Sequence, residues 1–208
     1  MLDYHQGADM LRRASAQGFT LVEMMIAMVV MAILLALAAR SYSVWIANSQ
    51  IRTAAETLAE GLSAARNEAI KRNRQVRFQL MSDLSSGCSA SDSGTSWVAS
   101  VDDPSSKCDV AISDALAPFI VAKKSAAEGT AKVTIEALDS SEKSANTIIF
   151  NGVGRVLLTD QTPIARIDIA SSALPDEQVR KLRIVLSTGG MIRMCDPRIS
   201  DTTDTRIC

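Results

Sequence analysis

From Phe19 to Ala39 the chain runs for 21 residues with Glu23 as its only charge. A helix of that length spans about 31 Å, roughly the hydrocarbon thickness of a bilayer. The run holds no Gly and no Pro, so nothing interrupts the helix on its way across. A carboxylate in such a segment is costly in lipid, and a functional role with a named partner is its default reading. The alternative is an ordinary anchor whose Glu23 sits at the interface. Arg12 and Arg13 precede the run in a short polar stretch, a placement that keeps the N-terminus cytoplasmic and sends the remainder outward. A secretory signal peptide would have a shorter apolar core followed by a small-residue cleavage site. Here Ala39-Arg40-Ser41-Tyr42 continues into more helix.

The residues before the run are the distinctive ones. Gly18-Phe19-Thr20-Leu21-Val22-Glu23, with its basic leader and apolar continuation, resembles the cleavage and methylation motif of type IV prepilins and pseudopilins. The resemblance implies cleavage by a prepilin peptidase between Gly18 and Phe19, N-methylation of Phe19, and an assembly role for Glu23. That carboxylate would meet the terminal amine of a neighbouring subunit. The domains expected are a leader over 1–18, a transmembrane half-helix over 19–39, an amphipathic half-helix over 40–74 and a β-rich periplasmic domain over 75–208.

Removing the leader leaves 190 residues, which fits one membrane helix and one soluble domain. Net charge is −1, and Asp3 and Asp9 offset Arg12 and Arg13, so the mature chain is also −1. Bulk charge therefore announces no nucleic-acid binder. The single histidine, His5, falls in the leader. A mature chain without histidine has no His base, no Ser-His or Cys-His nucleophile and no His-ligated metal. No carboxylate pair stands out, so the chain reads as a non-enzyme with no catalytic, cofactor-binding or metal residues.

Beyond the apolar run, Ile51, Ala55, Leu58, Leu62, Ala65 and Ala69 recur at helical spacing, while Arg52, Glu56, Glu60, Arg66 and Glu68 fall off that stripe. Gly61 is the weak point of the helix. It ends near Arg72 in a basic cluster of Arg66, Lys71, Arg72, Arg74 and Arg77, which reads as a solvated terminus complementing the helix dipole. A phosphate- or partner-binding patch is the alternative. From Gln75 the period becomes two, Val76, Phe78 and Leu80 alternating with polar neighbours as in a half-buried strand. A Ser/Gly/Asp-rich loop over Ser82–Ser96 follows. Further strands are expected near Trp97–Val101, Phe119–Ala122, Lys132–Leu138, Thr147–Phe150, Arg155–Leu158, Ile164–Ala170, Lys181–Leu186 and Met191–Cys195, the last entered through Gly189-Gly190. The fold class is α+β, one long helix packed on an antiparallel sheet domain.

The stretch Ala64–Asn73 leading into Val76, and Gly190-Met191-Ile192-Arg193-Met194-Cys195-Asp196-Pro197, are similar to the GspH/FimT branch of the pilin superfamily. The branch implies a pilin-like minor subunit of a type IV pilus or of a type II secretion pseudopilus, at or near the fibre tip. Implied partners are other pilins, the prepilin peptidase and the inner membrane. Some members take up DNA through a Gly-Arg-x-Arg motif. Here the aligned residues are Gly190-Met191-Ile192-Arg193, with methionine in place of the first arginine. Arg193, Arg198 and Arg206 are the candidate DNA contacts, offset by Asp196, Asp201 and Asp204, so DNA binding is expected to be weak.

The outward topology places Cys88, Cys108, Cys195 and Cys208 where disulfides persist. Sequence-local pairing, Cys88 with Cys108 and Cys195 with Cys208, is favoured among the three connectivities. A four-cysteine zinc site lacks CxxC spacing. Asp102, Asp103 and Asp109, and Asp201 with Asp204, lack EF-hand spacing and read as solvated loop acids.

The motif predicts a mature chain that begins at Phe19 and carries one added methyl group. Intact-mass and N-terminal analysis of membrane-extracted protein checks this, and a chain beginning after Ala39 would rule it out. Replacing Gly18 with a bulky residue is expected to leave the leader attached.

Overall fold

The computed structural model describes residues 18–125, 132–159 and 162–208. Leader residues 1–17, with His5, Arg12 and Arg13, lie outside them. The chain divides into two compact units, Met1–Ser41 and Tyr42–Cys208. Helix α1 is Leu21–Arg72, 52 residues long. It begins two residues later than the apolar run suggests because Thr20 caps it. The Thr20 hydroxyl accepts the Glu23 N–H at 3.2 Å, and its carbonyl accepts the Met24 N–H at 3.2 Å. In the first unit every described side chain from Leu21 to Leu37 is exposed, so this stretch has no core of its own.

The second unit is built on the rest of α1. Ile51, Ala54, Ala55, Leu58, Leu62, Ala65 and Ala69 are all buried in one core with residues of both sheets. The helix stops at Arg72 by a Schellman arrangement: Asn73 takes φ +49°, its N–H reaching the Ile70 carbonyl and that of Arg74 the Ala69 carbonyl.

The strands are β1 Val76–Met81, β2 Ser96–Ser100, β3 Ile120–Lys124, β4 Val133–Leu138, β5 Thr147–Phe150, β6 Arg166–Ser171, β7 Leu182–Leu186 and β8 Ile192–Cys195. They form two four-stranded antiparallel sheets, ordered β3-β2-β1-β5 and β4-β6-β7-β8. The split falls at Asp139–Ser144, where β4 and β5 leave a shared turn for different sheets. The buried Asp139 Oδ1 accepts the N–H groups of Ser141 at 2.7 Å and Lys143 at 2.9 Å. Those backbone donors, Lys143 first, hold its carboxyl below the usual carboxylate range. The expected strand at Arg155–Leu158 does not form. Val156 makes one bridge to Phe150 but gives its N–H to Thr188 of the other sheet's hairpin, so the ladder cannot continue.

Strand β1 is also not half-buried. Gln79 and Met81 are buried along with Phe78 and Leu80. The outer face of the first sheet is covered by the segment between β1 and β3, where Met81, Val98 and Ile120 pack with Cys88 and Cys108 in a second small core. Loop residues that look solvated by composition supply that cover. Lys123 Nζ ties it down by donating to the carbonyls of Cys108, Asp109 and Val110 at 2.7, 3.2 and 2.9 Å.

Gly61 has a specific reason to be there. A Cβ at that position would lie 2.7 Å from the buried Trp97 ring, which also meets Phe78 at a centroid separation of 5.4 Å. Helix propensity favours alanine over glycine by about 1 kcal/mol, but overpacking a filled core costs about 1–3 kcal/mol. Gly61→Ala is therefore expected to lower stability despite the better helix former. Pairing it with Trp97→Leu should recover part of the loss, as read from denaturant midpoints.

Candidate functional site

The processing motif sits just ahead of the capped helix. Gly18, Phe19 and Thr20 are non-helical and exposed, and a Cβ on Gly18 would meet nothing within 4 Å. The fold itself thus places no demand for glycine at that position. Glu23 lies in the first turn of α1, exposed, and forms no ion pair with any described residue. At the other end of the apolar run Tyr42 and Trp45 are exposed and stacked, with centroids 6.1 Å apart.

The structure bonds Cys88 to Cys108 and Cys195 to Cys208, at sequence separations of 20 and 13. Loops of this size are worth about 3 kcal/mol each on the chain-entropy account. With all four sulfurs bonded to one another, none is a thiolate ligand. Among the described residues no group of three or more metal-ligating side chains is gathered. The loop acids cap turns instead: Asp103 accepts the Ser105 N–H at 2.9 Å, and Asp201 the Thr203 N–H at 2.9 Å.

The three candidate DNA arginines do not converge. Arg193 donates to the Cys208 carbonyl at 2.9 Å. Arg198 donates to the Asp176 carbonyl across the second sheet. Arg206 pairs with Asp204 at 2.7 Å, and this guanidinium lowers the Asp204 carboxyl to about 2. Much of their donor capacity is spent on the protein. The helix-end cluster is similarly distributed. Arg72 pairs with both Glu68 and Asp114, Arg77 lies 3.7 Å from Asp103, and Arg66 Nε donates to the Gly154 carbonyl at 3.0 Å.

Sequence reasoning missed two fixtures. Asn48 clamps the loop before β7, donating to the Gln178 carbonyl at 3.0 Å and accepting the Arg180 N–H at 2.7 Å. No local signal marks it, since its partners are 130 and 132 residues away. Arg66, Gly154 and Gly190 form the other. Both glycines have positive φ, and a Cβ on Gly190 would lie 2.0 Å from the Gly154 oxygen. Gly189-Gly190 was visible as a turn, but its meeting with Gly154 was not.

The family model described as type II transport protein GspH matches residues 54–190. The chain belongs to this family. The prokaryotic N-terminal methylation motif matches residues 13–39. Two crystal structures of the type IV minor pilin FimU from Pseudomonas aeruginosa (strain PAO1) match at 16% and 17% identity, with TM-scores of 0.42 and 0.43. They cover 69% and 70% of this chain and 90% and 88% of theirs. No curated protein matches. A GspH-family chain with the methylation motif is a minor pilin or pseudopilin, a structural subunit type. The family match stops at Gly190, so Arg193, Arg198 and Arg206 all lie beyond it.

With its arginines committed to internal acceptors, the domain is expected to bind duplex DNA weakly and to lose that binding by moderate salt. Met191→Arg should strengthen it in a titration. Tight binding by the parent at physiological salt, abolished by Arg193→Ala, would reverse this expectation.

Proposed function

We propose that this GspH-family chain is a structural and priming subunit of a type IV pilus, cut between Gly18 and Phe19 and methylated on Phe19. The observation that carries the reading is the capped helix start. Thr20 caps the helix just after the Gly18–Phe19 bond, leaving that bond exposed and non-helical ahead of an apolar helix with one carboxylate in its first turn. A peptidase needs such an accessible, non-helical segment.

Before assembly the apolar run would anchor the subunit in the inner membrane, N-terminus in the cytoplasm and β-domain in the periplasm. The wholly exposed apolar surface of Leu21–Leu37 supports this, because only lipid or partner helices would cover it. The Tyr42–Trp45 stack adds to it, since such aromatics favour the membrane interface. In the fibre, Glu23 would pair with the Phe19 amine of a neighbour, the cation its own described surroundings lack. A second reading, a minor pseudopilin of a type II secretion system, is favoured by the family's own description. Deleting the gene separates them: loss of pili supports the first, loss of secreted substrates with pili intact the second.

Glu23→Gln is expected to insert normally yet enter fibres poorly. The measurement is the amount of tagged variant in sheared fibres against that in membranes. Parent-like incorporation would sink the pairing idea.

A further inference from the structure

Three close approaches lock two turns against the end of α1. A Cβ on Gly152 would lie 2.4 Å from Asn73 Oδ1, and one on Gly154 would lie 2.6 Å from Ile70 Cδ1. Gly190 in turn rests on the Gly154 carbonyl, and the Val156 N–H bonds to Thr188 at 3.1 Å. The apolar residues next to these contacts remain outside: Ile70 is 44% exposed, Val153 70% and Met191 60%. Beside them Arg74 and Arg155 are exposed and form no ion pair with any described residue, and Lys71 reaches Glu68 only at 3.7 Å. This flank is an apolar spot rimmed by cations on backbone that cannot easily yield, the kind of preorganised surface that binds at low entropic cost.

The opposite flank of α1 has the complementary character. Arg72, two residues after Ile70 and so about 200° round the helix, pairs with Asp114. The loop carrying Asp114 exposes Ile112 at 60% and Leu116 at 58%. Exposed Asp109 belongs to the same loop, and exposed Asp102 lies beside it, its N–H bonded to Pro118 at 3.1 Å. Both flanks show large apolar side chains, the first rimmed by cations and the second carrying Asp102, Asp109 and Asp114 against Arg72 and exposed Lys107.

We propose that the two flanks are halves of one contact, the cationic flank of one copy receiving the 109–116 loop of a second copy. Because the halves lie on opposite sides of the same helix, the contact is heterologous. Each copy keeps one half free, and the association extends rather than closing as a two-fold dimer. This goes beyond assignment to a fibre, since it needs only two folded copies in one membrane.

The test is energy transfer between full-length chains carrying donor or acceptor dyes on an N-terminal tag, in phosphatidylcholine vesicles. The parent should transfer above the level set by random proximity. Arg74→Glu with Arg155→Glu, or Asp102→Lys with Asp109→Lys, should each cut the apparent association constant roughly threefold or more, because each variant then opposes like charges. Mixing the two variants should restore it, since every contact in the mixture between unlike copies again joins opposite charges. Met191→Ser with Val153→Ser should weaken association without changing charge. Random-level transfer by the parent overturns the proposal. So does parent-like transfer by the variants, or a mixture that stays apart. None of these outcomes bears on Glu23 or on fibre entry, so the proposed function stands or falls separately.

Discussion

The second unit depends on burying the stripe of α1 from Ile51 to Ala69. Small residues dominate that stripe, with Ala54, Ala55, Ala65 and Ala69 among Ile51, Leu58 and Leu62. Small side chains let the sheets come close to the helix axis, and Gly61 carries this furthest by admitting the Trp97 ring against the helix backbone. One helix thereby serves as the common floor of two sheets. Neither sheet could bury its inner face without it, because a four-stranded sheet with one apolar face needs a second layer.

The outer face of the first sheet is closed differently. No second helix is present among the described residues to cover it. A polar-looking loop does so, held by the Cys88–Cys108 bond and by one ammonium capping three carbonyls. The same division of labour recurs at the C-terminus, where the Cys195–Cys208 bond and the Arg198 contact hold an acidic and basic loop near the second sheet. Spending arginines on backbone carbonyls stabilises these loops and leaves little for a phosphate backbone. Arg74 and Arg155, which pair with no acid among the described residues, stand elsewhere, beside the glycine-locked turns.

The first unit has the opposite problem. Its surface from Leu21 to Leu37 is apolar apart from Glu23 and exposed among the described residues. A helix of this kind is incomplete in water. Lipid or other helices must supply what the fold does not, and a lone carboxylate in the first turn makes that requirement specific.

What the sequence alone determined is whatever rests on local pattern. The apolar run, the Gly-Phe-Thr-Leu-Val-Glu motif, the helical spacing from Ile51 to Ala69 and most of the strands are written in neighbouring residues. So is the α+β class. Four things were decided only by tertiary structure. The division of the strands between two sheets is one, because the turn at Asp139 sends β4 and β5 apart and Val156 is claimed by the other sheet's hairpin. The alternating β1 became buried on both faces, because a loop of unremarkable composition folds over it. Gly61, legible only as a weak point, proved to be space for Trp97, and Arg66 left the basic cluster for the Gly154 carbonyl 88 residues away. Each of these turns on a partner distant in sequence, and periodicity reports only which face a residue occupies, not what will come to lie against it.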